Sequence, residues 1–187
     1  GAHLAARRAL ELLQAAGLSA TPDADRGLDH GAWVPLMHLL PDADVPVFQV
    51  SLPARLDGER AYAYGQALAP LASEGVLIIG SGSLTHNLYE VRFDAPDAQG
   101  ETYAVEFSRW INDVVTGRDH ARLQQTMTQA PHAQRAHPTA EHLWPLMVAA
   151  GAAGAEVPAT RIDGGITHGV LVMDAFVFGD AAEVVAA

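Results

Sequence analysis

Two short apolar runs separated by a helical segment constrain the fold of this chain more than any other feature. Residues 45–52 read VPVFQVSL and residues 76–80 read VLIIG, and both are apolar at successive positions, as strands buried on both faces are. The segment between them, residues 58–75, has a helical pattern that ends near Gly75. Because a helix between two buried strands is the repeating unit of a layered sheet, this order predicts an α/β fold.

The rest of the chain extends the same alternation. Residues 2–17 and 118–130 have helical spacing, and residues 168–179 are rich in β-forming side chains. A stripe of large apolar residues indicates a further helix: Phe107, Trp110, Ile111 and Val114. With no internal repeat or domain boundary, residues 1–187 are predicted to form a single layered α-β-α domain. Its central sheet is expected to be mixed or mostly parallel, with helices on both faces.

Composition excludes several classes of partner. The formal net charge is −11, and all 11 basic residues are arginines, which argues against a nucleic-acid backbone or an anionic membrane surface. No apolar run approaches the roughly 20 residues of a membrane span. The absence of cysteine excludes disulfides, thiolate catalysis and cysteine zinc sites, and the cytoplasm is the default location. A homo-oligomer is neither indicated nor excluded.

Histidine is the notable excess, and His86 is the best placed of the nine. It follows the run 76–80 in the small-residue sequence GSGSLTHN, and ligands of layered α/β domains bind at the carboxyl ends of strands. The glycines would let the backbone approach a ligand closely. The alternative for a lone loop histidine is a hydrogen bond to backbone.

His30 lies in a tight loop between Gly27 and Gly31. Asp29 could orient the His30 imidazole, as carboxylates do around working histidines. The alternative is an Asx-type turn with an exposed histidine.

His142 lies near the start of a helix that Thr139 is expected to cap. Its neighbour Glu141 is expected to point elsewhere on that helix. No two histidines have HxxxH or HExxH spacing, so any metal site must be assembled from distant segments. Three other histidines are predicted to lie on the surface: His3, His120 and His132.

Three segments together resemble a known family: GLDHGAWVPLMHLLPDADVPVFQVSL (27–52), EGVLIIGSGSLTHNL (74–88) and HPTAEHLWPLMVAAGAAG (137–154). They resemble the class III extradiol ring-cleavage dioxygenases of the 4,5-DOPA dioxygenase type, which are related to the catalytic subunit of protocatechuate 4,5-dioxygenase. The resemblance implies a non-haem Fe(II) enzyme, with zinc as an alternative metal. Such an enzyme opens the ring of a small-molecule catechol such as DOPA with O₂.

The same resemblance implies roles for individual residues. His86 would be the catalytic acid/base, and in some relatives this position is counted among the metal ligands. His142 would be a metal ligand, and His30 a catalytic and substrate-binding residue lining the pocket. Asn87, next to His86, is a candidate contact for a substrate hydroxyl or carboxylate.

One departure from the family pattern concerns the metal. The family carries two further metal-ligand histidines in an N-terminal segment, and His3 matches neither in context. We therefore expect residues 1–187 to be the C-terminal portion of such an enzyme, without that segment and weak or inactive alone. The first strands of the sheet would then be missing too, which would expose an apolar edge or face.

Two alternatives from other classes remain at this point. The chain could be a non-catalytic binding or partner subunit that retains the fold without the metal. It could also be a zinc-dependent hydrolase, which requires His30, His86 and His142 to converge on one ion.

Overall fold

Helices dominate the computed structural model, which describes residues 2–94 and 100–180. In chain order, the α-helices are α1 (His3–Ala15), α2 (His30–Leu39), α3 (Gly58–Leu68), α4 (Pro70–Ser73), α5 (Thr102–Thr116), α6 (His120–Gln124), α7 (Thr126–Gln129), α8 (Ala133–Ala136) and α9 (Trp144–Ala153). A short 3₁₀ helix spans Leu88–Glu90. Short strands follow α9: β1 (Ala159–Ile162), β2 (Ile166–Thr167), β3 (Leu171–Val172) and β4 (Ala175–Phe178).

The apolar stripe predicted near the middle of the chain is confirmed as the buried face of α5. Phe107, Ile111 and Val114 recur at helical spacing and are almost completely buried, whereas Trp110 is only partly buried. The Trp110 ring lies beneath the Arg122 guanidinium, 5.2 Å from its centroid. Helix α5 thus forms one wall of the core, with Trp110 at its rim.

Helices α3 and α9 pack directly against each other in the core. A Cβ atom at Gly65 would collide with the carbonyl oxygen of Val148, and one at Gly151 would collide with that of Tyr62. Glycine at both positions therefore lets the two backbones touch. This contact fixes α9, and with it the turn that precedes α9 and carries His142.

The strands form two small antiparallel sheets rather than one central sheet. β1 pairs with β4, in register Ala159 to Phe178, and β2 pairs with β3. The β-rich prediction for residues 168–179 is confirmed by β3 and β4, and the α/β class is consistent with the fold. Within residues 2–94 and 100–180, however, the predicted mixed or mostly parallel central sheet is not formed.

The two apolar runs expected to form that sheet have no strand partner among the described residues. In residues 76–80, Val76 and Ile78 pack against the core, while Leu77 and Ile79 are 68% and 44% exposed. Apolarity at successive positions predicted burial on both faces, but only one face is covered here. A strand also requires a neighbour for its hydrogen bonds, and that neighbour cannot be read from the run itself.

Helix α2 is the other poorly covered element. It has no fully buried residue, and Trp33, Val34 and Met37 are all exposed. Pro35 lies inside this helix rather than interrupting it. None of the described helices is both long enough and apolar enough to cross a membrane.

Candidate active site

The segment that presents His86, residues 80–90, is here called the histidine loop, and its glycines pack closely against neighbouring backbone. A Cβ at Gly80 would collide with the carbonyl oxygen of Pro145, and one at Gly82 with that of His142. The amide of Ser83 donates to the same His142 oxygen over 2.8 Å. The small residues thus let the histidine loop lie directly on the backbone at the start of α9.

Thr85 fastens the histidine loop to β3. Its buried hydroxyl donates to the Val170 carbonyl over 2.7 Å and accepts from the Val172 amide over 2.8 Å. The Ser83 hydroxyl in turn donates to the Thr85 carbonyl over 2.8 Å. These bonds satisfy buried backbone groups and fix the chain immediately before His86.

The structure brings His86 and His142 into direct contact. Their imidazole rings are stacked, with centroids 3.5 Å apart and planes inclined by 12°. The His86 amide donates to the Ala136 carbonyl over 2.8 Å. Two residues 56 positions apart in the sequence, singled out by the resemblance, therefore form one side-chain pair.

The surroundings of His86 favour its neutral form. Burial lowers the pKa of His86, the adjacent His142 ring lowers it further, and Glu141 acts in the opposite direction. A neutral imidazole can accept a proton at near-neutral pH, which is the property required of a general base.

Around His142, the structure corrects two expectations. Helix α9 begins at Trp144, so residues 141–143 form a turn, and the Thr139 hydroxyl donates to the Glu141 carboxylate over 2.8 Å instead of capping the helix. Glu141 therefore does not point away: its Oε1 lies 3.4 Å from Nδ1 of His142. That nitrogen is buried and has no hydrogen-bond partner.

His30 is carried by α2 rather than by the histidine loop. It is the exposed first residue of α2, whose Gly31 lies near the Ser81 hydroxyl. The Asp29 carboxylate accepts from the Ala32 amide and from the Gln49 side chain, over 3.2 Å and 2.7 Å. Asp29 thus caps α2, and this agrees with the alternative of an Asx-type turn with an exposed histidine rather than with a carboxylate that orients the His30 ring. The catalytic and substrate-binding roles of His30 stay predictions.

Asn87 is committed to protein contacts. It is buried, and its side-chain amide donates to the Arg135 carbonyl over 2.8 Å and to Glu90 Oε1 over 3.0 Å. Its Oδ1 accepts from the Tyr89 amide over 3.2 Å. Both amide hydrogens are used, so the predicted substrate contact would have to be made by the remaining lone pair of Oδ1.

The sequence analysis missed His137, whose side chain forms a hydrogen bond with the backbone of the histidine loop. Its side chain is fully buried, and Nε2 lies 2.9 Å from the Leu84 carbonyl, to which it donates. Burial lowers the pKa of His137 to about 4, so this ring is neutral at physiological pH. The available signal was its position in HPTAEH, five residues before His142.

His120 was predicted to lie on the surface, and this prediction is wrong. It is 4% exposed, and its Nδ1 lies 2.8 Å from the Tyr62 hydroxyl. Its polarity suggested exposure, but a hydroxyl partner 58 residues away satisfies one ring nitrogen inside the core.

The described residues fit part of a metal site and do not complete one. Imidazole nitrogens suit Fe(II) and zinc, and the unpartnered Nδ1 of His142 is such a donor. Yet residues 2–94 and 100–180 contain no group of three or more His, Cys, Asp or Glu side chains that could hold a metal ion. In the described part of the chain, His30, His86 and His142 therefore do not converge on one ion, as a zinc hydrolase would require.

A family match covers most of the chain. Residues 2–171 match the family described as the catalytic LigB subunit of aromatic ring-opening dioxygenase. The chain belongs to this family, and the resemblance inferred from its motifs is confirmed.

Particular relatives carry a more specific name. The chain is 46% identical to the 4,5-DOPA dioxygenase extradiol of Beta vulgaris, over 86% of this chain and 61% of that protein. It is 31% identical to the protein of the same name in Escherichia coli K12, over 92% of this chain and 64% of that protein. The chain thus spans about three fifths of the length of these curated relatives.

A solved structure shares the fold. The crystal structure of an uncharacterized protein from Escherichia coli K12 superposes with a TM-score of 0.80 at 28% identity. The match covers 94% of this chain and 72% of that one.

Proposed function

We propose that this chain supplies the proton-transfer part of an extradiol dioxygenase, an enzyme that opens the ring of a DOPA-like catechol with O₂. The observation that carries the proposal is the stacked pair of His86 and His142, since it joins two motif residues of the family in one place. The name shared by the beet and bacterial relatives supports a catechol of the DOPA type as substrate.

We assign the metal to Fe(II), with zinc as an alternative occupant. His142 is the first ligand. Because the His86 ring is stacked on it in a nearly parallel plane, the lone pairs of the two rings do not converge on one ion in this arrangement. We therefore assign His86 to the substrate side, and its alternative role as a metal ligand would require the two rings to turn apart. Further ligands have to come from outside the described residues, because these hold no complete donor group. When bound, Fe(II) would hold the catechol oxygens and activate O₂.

The side chains of this chain handle the proton. Neutral His86 accepts a proton from a catechol hydroxyl and returns it when the ring opens, and the lowered pKa of its imidazole favours the accepting form at rest. Stacking against the His142 ring fixes the orientation of the His86 ring. His30 lines the substrate side, and Asn87 offers its remaining lone pair to a substrate hydroxyl.

We also propose that residues 1–187 act as one domain and that residues 45–52 and 76–80 are strands of a central sheet when an additional segment covers them. The exposure of Leu77 and Ile79 supports this proposal, because apolar side chains on an unpaired strand are normally buried against another element. We propose that the segment that covers these two runs also carries the remaining metal ligands.

The test compares this chain alone with a fusion in which the unmatched part of the beet relative precedes it. Both proteins receive Fe(II) anaerobically and then DOPA and air, and a yellow ring-opened product is followed by absorbance. We expect turnover by the fusion and little by the chain alone.

Two outcomes would contradict this account. Robust turnover by the chain alone would overturn the incomplete ligand set. A folded fusion that binds neither Fe(II) nor zinc would favour the non-catalytic binding subunit.

A further inference from the structure

Hydrogen bonds on both sides of His86 tie the histidine loop to residues 135–137. Before His86, the Leu84 carbonyl accepts from Nε2 of His137 over 2.9 Å. At His86, the backbone amide donates to the Ala136 carbonyl over 2.8 Å. After it, Asn87 donates to the Arg135 carbonyl over 2.8 Å. Residues 84–87 are thus held at three points by one short segment.

An ion pair closes this contact at its far end. Nε and Nη2 of Arg135 donate to the Glu90 carboxylate over 2.9 Å and 2.6 Å, in the forked geometry that guanidinium groups prefer. The guanidinium also lies over the Tyr103 ring, 4.1 Å from its centroid, and the same carboxylate accepts from Asn87. Glu90 therefore links Arg135 to the residue next to His86.

We propose that His137 and the Glu90–Arg135 pair are positioning residues that hold the backbone of residues 84–87 so that the His86 ring stacks on His142. The contacts that His137 and Arg135 make with the histidine loop are to the Leu84 carbonyl and to the Asn87 and Glu90 side chains, so these residues act on the His86 ring through its backbone. The inference deepens the proposed function, on which it rests only for the chemical meaning of the histidine pair.

The location of the ion pair favours positioning over bulk stability. The Arg135 and Glu90 side chains are 50% and 31% exposed, and exposed ion pairs contribute little net stability. Its partners, in contrast, are the Asn87 amide and the buried Tyr103 ring. Loss of the pair should therefore loosen the histidine loop locally and leave the core intact.

The experiment uses the full chain without metal or catechol, so its result does not depend on the proposed function. Amide hydrogen exchange and histidine ring signals are measured by NMR for Glu90→Gln and for Glu74→Gln. The second variant is a matched control, since Glu74 forms a similarly exposed pair with Arg8 away from the histidine loop. A failure of ring-opening activity would leave this measurement unaffected.

We expect Glu90→Gln to raise amide exchange at His86 about tenfold and to shift the His86 and His142 ring signals, while α5 amides stay protected. Glu74→Gln should leave His86 exchange within about twofold. Unchanged exchange at His86 in Glu90→Gln, or an equal rise throughout α5, would overturn the proposal.

A second pair of variants tests His137. Glutamine can place an amide donor near the position of Nε2, whereas leucine fills the space without a donor. We expect His137→Gln to retain the ring signals of the stacked pair and His137→Leu to lose them. The same signals in both variants would overturn the role of His137.

Discussion

The two sides of the histidine loop differ in how firmly they hold their histidines. On the side of α8 and α9, Gly80 and Gly82 let the histidine loop pack directly against backbone, and the His86 and His142 rings are stacked at this contact. On the side of α2, His30 is exposed and the helix that carries it has no fully buried residue. The described residues thus hold the His86–His142 part of the proposed site in close packing, whereas the part that contains His30 is open to the outside.

The difference follows from where each side finds its packing contacts. Close packing depends on contacts that the chain makes with itself, such as those of Thr85 with β3. Helix α2 instead presents Trp33 and Met37 to the outside, which is the surface expected where a further element packs. Predictions can therefore be framed as contrasts between the two sides.

The largest contrast is expected between two methionines. Met147 in α9 is fully buried, whereas Met37 in α2 is 56% exposed. Met147→Ala should lower the free energy of unfolding by about 4 kcal/mol, and Met37→Ala by less than about 0.5 kcal/mol. Urea denaturation of both variants measures this, and equal losses would contradict the difference between the sides.

The next effect concerns pH and the buried His137. The pKa of His137 is lowered from 6.5 to about 4 in the folded chain, so the unfolded chain binds more protons between these values. Stability should therefore fall as pH is lowered from 6.5 towards 4, by about 3 kcal/mol from this residue. His86 and His120, with pKa values also lowered, act in the same direction.

Replacement of the titrating ring is the control for that slope. His137→Gln should flatten the fall in unfolding free energy over this pH range, as measured by urea denaturation at several pH values. The pKa of Glu90 is lowered from 4.5, so its contribution is lost only at lower pH. An unchanged slope in His137→Gln would show that His137 does not titrate as described.

A smaller loss is expected at Thr85. Thr85→Val removes the hydroxyl that serves the Val170 carbonyl and the Val172 amide, leaving both buried groups without this partner. The expected cost is about 2 kcal/mol, compared with less than about 0.5 kcal/mol for the exposed Thr21→Val. A thermal unfolding comparison measures it, and similar midpoints for the two variants would contradict the anchoring role of Thr85.

The smallest expected stability effect is at Gly82, although its effect on geometry should be clear. A Cβ at Gly82 would collide with the His142 carbonyl, whereas one at Gly27, before α2, would meet no atom within 4 Å. Gly82→Ala should cost about 1.5 kcal/mol, and Gly27→Ala less than about 0.5 kcal/mol. Chemical denaturation with NMR of the His142 ring checks both, and a neutral Gly82→Ala would refute the close approach.

The sequence predicted what depends on local pattern. The buried stripe of α5 followed from the spacing of Phe107, Ile111 and Val114. The helix over residues 2–17 was confirmed as α1, and Gly17 after it adopts a positive φ of 75°. Such features involve neighbours in the chain, so periodicity suffices to find them.

Features that depend on distant partners could not be derived in that way. The proximity of His86 and His142 came from a family resemblance, since no spacing rule connects residues so far apart. His120 was misplaced because its partner Tyr62 is remote, and His137 was overlooked because nothing in its local pattern marks burial. The central sheet stays a prediction for the same reason: an apolar run does not identify the strand that pairs with it, and the described residues contain no such pairing.

The central claim is that His86 transfers protons during ring opening, and one kinetic measurement tests it most directly. In the Fe(II)-loaded fusion with the beet segment, kcat for DOPA is compared between the unmutated protein, His86→Ala and His132→Ala. His132 is a matched control, because it is an exposed histidine that pairs with Glu106 outside the histidine loop. We predict that kcat falls at least about 100-fold in His86→Ala and stays unchanged in His132→Ala. An unaltered kcat in folded, Fe(II)-loaded His86→Ala would contradict the claim.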